Sequence, residues 1–156
     1  MLKKEPLKKM VRKAADQEKP VIFQVSDPVY LVDIHFVFGS SESRDEYIKK
    51  TFDKEFHHCY ADDHVLGSTS AFSHEEPRMR GHYLIWVKNK KDSYTLIHEC
   101  FHAVIMVLGD CGVHLQPDNS DAGAYYIEYL VRSATKGLLD SMKISEPSNA
   151  KRKTRA

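Results

Sequence analysis

The 156-residue sequence contains no apolar run approaching the ~18–20 residues of a transmembrane helix, and its first fifteen residues, MLKKEPLKKMVRKAA, lack the apolar stretch of an export signal. Cysteine is scarce. Cys59, Cys100 and Cys111 are odd in number and irregular in spacing, which argues against a disulfide framework and for a reducing, cytoplasmic setting. There is no internal repeat and no low-complexity stretch. What is present, 42% hydrophobic residues with well-represented aromatics, is the composition of a soluble globular domain with a single core.

The formal net charge of +1 hides an asymmetry. Residues 1–13 carry six Lys/Arg against one Glu, residues 151–156 add four more positive charges, and the middle is left at −8. Basic ends of this kind are compatible with nucleic acid or an acidic partner, although solvated arms explain them more simply. The pattern divides the chain into a basic arm over 1–18, a domain over 19–142 and a basic tail over 143–156.

Within the domain the hydrophobic period changes along the chain. VIFQV and VYLVDIHFVFG, punctuated by Asp27-Pro28, read as strands. In the second run Tyr30, Val32, Ile34 and Phe36 share one face while Val29, Leu31 and Val37 share the other. Residues 42–56 carry Tyr47, Ile48, Phe52 and Phe56 at helical spacing. HVLGSTSAF (64–72) and MRGHYLIWV (79–87) read as strands. Two helices follow, over about 93–108 and 119–139, the first with Asp92 or Ser93 as cap and Gly109 just past its end. This order predicts an α+β domain whose small mixed or antiparallel sheet carries its helices on one side. The 93–108 helix is apolar almost all round, which predicts that it runs through the core.

That helix contains His98-Glu99-Cys100-Phe101-His102. Residues four apart on a helix lie one above the other, so His98 and His102 can offer two imidazoles to one zinc ion. Glu99 lies at the edge of the same face. From there it can take a proton from a zinc-bound water without ligating the metal. A catalytic zinc usually has three protein ligands, and Asp121, nineteen residues on in the first turn of the next helix, is the choice for the third. An Asp there also suits the helix dipole. Glu128 competes, but it precedes Arg132 by four residues and is better explained by a helical ion pair. Tyr125 lies one turn after Asp121 and could donate to an oxyanion or orient a ligand; filling the core is an equal reading. His57, His58, Cys59 and His64 sit in a polar stretch without paired spacing and read as a solvated loop. Cys100 reads as core, and Cys111 and His114 could line a cleft.

HECFHAVIMVL followed by NSDAGAYYIEYLVR resembles the paired helices of zincins. In the gluzincin branch an acidic ligand opening an acid-Ala pair follows HExxH by about twenty residues, and Asp121-Ala122 occupies that place with Asp for Glu. The small size, the IWV strand and the acid-Ala-x-Ala-Tyr pattern are similar to small metallopeptidases encoded by bacteriophages and prophages. The resemblance covers residues 79–132. It implies a zincin core binding one zinc ion, with residues 79–87 as the edge strand along which a peptide or protein substrate pairs and Gly81 as the point of close approach. The expected activity is peptide hydrolysis in the cytoplasm of a bacterial host. The alternative is an inactive zincin-like metal-binding protein that serves phage assembly or host interaction, with nucleic-acid association through the basic ends as a minor variant.

Overall fold

The computed structural model describes residues 19–52, 65–72 and 81–145. Strands β1 (Val21–Asp27) and β2 (Val32–Phe38) are followed by helix α1 (Ser41–Phe52), strands β3 (Gly67–Phe72) and β4 (His82–Val87), and helices α2 (Ser93–Asp110) and α3 (Ser120–Ser145). The four strands form one mixed sheet in the order β1-β2-β4-β3. β1 and β3 pair antiparallel with their neighbours, while the central β2 and β4 run parallel, Phe36 opposite Ile85. The class is α+β, as the element order predicts.

Burial follows from position in the sheet. Central β2 is buried at all seven residues, whereas β1, at an edge, alternates. Side-chain alternation splits the core in two. Ile34, Phe36, Phe38, Tyr83, Ile85 and Val87 face α2 and α3. Val37, Leu84 and Trp86 face Ile48 of α1. The helices therefore cover both faces of the sheet, not one. The reason is visible in β2 and β4: both of their faces are apolar, so both need cover. On the α1 side the Arg44 guanidinium lies 4.4 Å from the Trp86 ring centre, and the Trp86 indole N–H donates to the Gly39 carbonyl at 2.9 Å.

Several boundaries differ from the sequence reading; α3, for one, runs on to Ser145 instead of ending near 139 and so enters the segment assigned to the tail. β2 begins at Val32, because Asp27 builds a turn: its Oδ1 accepts the amides of Val29 at 2.7 Å and Tyr30 at 3.1 Å. Leu31 then takes a left-handed φ of 56°, and Val29 and Leu31 stand exposed at 75% and 57% instead of lining a strand face. At the end of α2, Gly109 is still helical. The left-handed residue is Gly112, φ 76°, with Val113 N–H bonded to Leu108 O at 2.7 Å and Gly112 N–H to Gly109 O at 2.9 Å. This is the double closure that a glycine three positions later makes possible. At its start, Asp92 caps as predicted, accepting the Thr95 amide at 3.0 Å. Among the described residues no helix is long and apolar enough to cross a membrane.

Candidate metal centre

Helix α2 lies on the sheet with Leu96, Cys100, Ala103, Val104, Val107 and Leu108 turned inward. Its opposite side is open. Tyr94, Ile97, Phe101 and Ile105 are exposed, and His98 and His102 lie among them, exposed as well. The expectation that this helix runs through the core is therefore corrected. Its apolar surface exceeds what one sheet face and one neighbouring helix can cover, and the excess, carrying both histidines, faces outward.

On that open face the His98 and His102 Nε2 atoms are 3.0 Å apart. One ring can donate to the other across this distance. The same separation lets both nitrogens sit at the ~2.0–2.1 Å zinc–nitrogen distance from one ion, with an angle between them of about 95°. The donor set is two imidazole nitrogens, chemistry that suits zinc. The pair thus fits a metal as a two-point grip.

Glu99 turns the other way. It is 6% exposed and faces β3, where the Thr69 hydroxyl lies 2.9 Å from both Glu99 Oε2 and the Glu99 backbone oxygen. The helix comes this close because Gly67 has no side chain: a Cβ there would meet Thr95 Cγ2 at 2.6 Å, Glu99 Cγ at 2.9 Å and the Trp86 carbonyl oxygen at 2.9 Å. Gly67 is thus the glycine at which the helix approaches the sheet; the nearest atoms to a Cβ on Gly81 belong to the Tyr83 side chain, at 3.2 Å or more. The edge strand is likewise β3 and not the 79–87 segment. β4 pairs on both sides, whereas β3 has only β4 beside it among the described residues.

Asp121 stands exposed in the first turn of α3. Among the described residues no three His, Cys, Asp or Glu side chains gather into a group able to hold a metal, so the structure brings His98 and His102 together without Asp121. Glu128 forms the anticipated ion pair, 2.5 Å from Arg132. Tyr125 is 72% exposed, so it does not fill the core; it lines a groove against Asp27 and Tyr30. Cys100 is buried, and burial first, then the nearby Glu99 charge, pushes its thiol up to about 12, which keeps it protonated and inert as a ligand. Cys111 and His114 are exposed beyond α2. His57, His58, Cys59 and His64, and the basic segments 1–13 and 151–156, lie outside the described residues.

Two features lie outside the residues singled out from the sequence. Thr69 is thirty residues from Glu99 and belongs to a strand with no motif. His35, by contrast, is legible as the odd polar residue inside VDIHFVF; it is 2% exposed, with Nδ1 2.7 Å from the Tyr47 hydroxyl and Nε2 3.0 Å from His82 Nδ1. Comparison of the chain with protein-family models, with curated proteins and with solved structures finds no match.

Proposed function

We propose that the protein is a zinc-dependent peptidase, in which His98 and His102 hold the ion and Glu99 is the general base. The observation that carries this reading is the pair of Nε2 atoms 3.0 Å apart on an open helix face, with a carboxylate on the adjoining residue. When bound, zinc supplies a Lewis acid and a water acidified toward pH ~7. The chain supplies the rest. In this reading the Glu99 carboxylate turns toward the histidine pair, accepts the proton of the attacking water and returns it to the leaving amine. The Thr69 hydroxyl, 2.9 Å from Oε2, holds the carboxylate on the β3 side until it turns. The outer edge of β3 has no strand beside it among the described residues, and an extended peptide would add there as a further strand alongside the base. Asp121, in the first turn of α3, is the proposed third ligand, supported by the acid-Ala spacing of the zincin resemblance; the carboxylate has to swing toward the pair to serve.

A second reading is favoured by a specific observation. Glu99 is nearly buried and tied to Thr69, and Asp121 is apart from the histidines, as suits a zincin-like protein that binds metal without turnover. One experiment separates the two: metal analysis of the purified protein with a peptide-library cleavage assay, repeated on Glu99→Gln and Asp121→Ala. Peptidase activity predicts one zinc per chain, cleavage by the parent, and zinc without cleavage in Glu99→Gln. Zinc without cleavage in the parent selects the second reading. Absence of zinc from the parent overturns both.

A further inference from the structure

A second concavity, of about 260 Å³, is built from residues that the metal centre does not use. It lies between the β1–β2 turn and the N-terminal half of α3, and four tyrosines line it: Tyr30, Tyr125, Tyr126 and Tyr129. The Tyr30 and Tyr126 rings meet edge to face at 4.9 Å, and the Tyr126 and Tyr129 rings are parallel to within 9° at 5.9 Å. Tyr125 and Val29 form an exposed rim.

Asp27 lies in the wall of this groove at 1% exposure. Its Oδ1 is used by the two turn amides, and among the described residues no Lys or Arg pairs with it. A buried carboxylate without a cation is costly, and two amide donors offset only part of that cost. Beside it the buried Tyr126 hydroxyl interacts with the Asp27 carboxylate, outside strict hydrogen-bond geometry. Burial first, then this interaction with Asp27 and its charge, raises the Tyr126 phenol pKa; burial and then the Asp27 charge raise that of Tyr129. Among the described residues the groove therefore presents one carboxylate, four tyrosine rings and no Lys or Arg.

We infer that this groove binds an organic cation, an alkylated ammonium group of side-chain size. The ligand class follows by elimination. Asp27 excludes an anion. One carboxylate supplies too few oxygens for Ca²⁺ or Mg²⁺. A bare ammonium is strongly hydrated and would need more acceptors than the groove offers, whereas methyl groups on the nitrogen match tyrosine faces and spread the charge over them. The volume is below the ~300–1,000 Å³ of drug-sized sites and suits one head group. Choline-like molecules and methylated lysine side chains share this chemistry.

The test titrates the full chain by calorimetry with choline, with its neutral carbon isostere 3,3-dimethylbutan-1-ol, and with one peptide carrying either lysine or trimethyllysine. Choline is expected to bind at least fivefold more tightly than the isostere. Asp27→Asn keeps an oxygen for the turn amides and removes the charge, and should cost at least fivefold. Tyr125→Leu, at an exposed position that leaves the fold intact, keeps apolar area and removes a π face; it should cost about threefold. Tighter binding of the trimethyllysine peptide than of choline assigns a protein ligand, and the reverse assigns a small molecule. Equal binding of choline and its isostere, affinity unchanged in both variants, or no binding of any probe overturns the inference.

Discussion

Two pairs of histidines in this protein bring ring nitrogens to the same separation, 3.0 Å, and are built for opposite ends. His98 and His102 come from one helix, four residues apart, with their rings exposed. His35 and His82 come from neighbouring parallel strands, with His35 sealed at 2% exposure. Both nitrogens of His35 are engaged, one with Tyr47 and one with His82. Phe52 covers it edge-on at 5.1 Å, and Asp33, 3.9 Å from His82 Nδ1, is itself held by Ser26 at 2.6 Å. Distance alone therefore does not make a metal site. The strand pair is a satisfied polar network inside the sheet's α1 face, whereas the helix pair is exposed, its two Nε2 atoms facing each other at 3.0 Å.

The largest effect that would break this comparison is on metal affinity. His98→Ala or His102→Ala should lower zinc affinity at least a hundredfold in a chelator-competition titration, and His35→Gln should leave it unchanged. Equal losses at both pairs would show that the contrast is wrong.

Next comes acid stability. Burial chiefly, then the His82 charge, and against a smaller opposing pull from Asp33, lowers the His35 pKa from 6.5 to about 4. Between those values the unfolded chain holds a proton that the folded chain refuses. Stability is therefore complete above pH 6.5 and falls as the pH drops toward 4, by about 2–3 kcal/mol. Urea unfolding at pH 7 and pH 4.5 should show this loss in the parent and a smaller one in His35→Gln.

Gly67→Ala acts on the helix pair's side of the sheet. Its Cβ would press on Thr95, Glu99 and the Trp86 carbonyl, and backbone cannot yield as a side-chain tip can. A loss of about 1–3 kcal/mol by denaturant unfolding is expected. The smallest effect belongs to Thr69→Val, which removes the hydroxyl from Glu99. About 1 kcal/mol of stability should go, and if Glu99 is the base, kcat should change while zinc content stays constant.

Much of the fold is legible in the residues. Alternation in VIFQV, continuous burial in VDIHFVF, the Asp92 cap and the His98–His102 spacing are local patterns, and local patterns survive in any tertiary setting. Gly109 misleads because helix ends are decided by which glycine can close the last turn onto packed neighbours, and Gly112 does so. The open face of α2 is equally hidden. An all-round apolar helix implies full cover only when enough elements exist to cover it. Tyr125 shows the same limit: helical spacing aligns it with Asp121, but the β1–β2 turn, nearly a hundred residues earlier, decides what it faces.

The sequence by itself determines the two-imidazole grip, because the pitch of one helix places His98 above His102 whatever surrounds them. It also determines the Glu128–Arg132 pair for the same reason. Only the tertiary structure decides that Glu99 faces Thr69 across a gap left by Gly67, that β3 and not β4 is the edge, and that Asp27 lies buried among tyrosines. Each of these depends on strand order and on which side chains meet across distant segments. Those are outcomes of packing both faces of one sheet, and no local period encodes them.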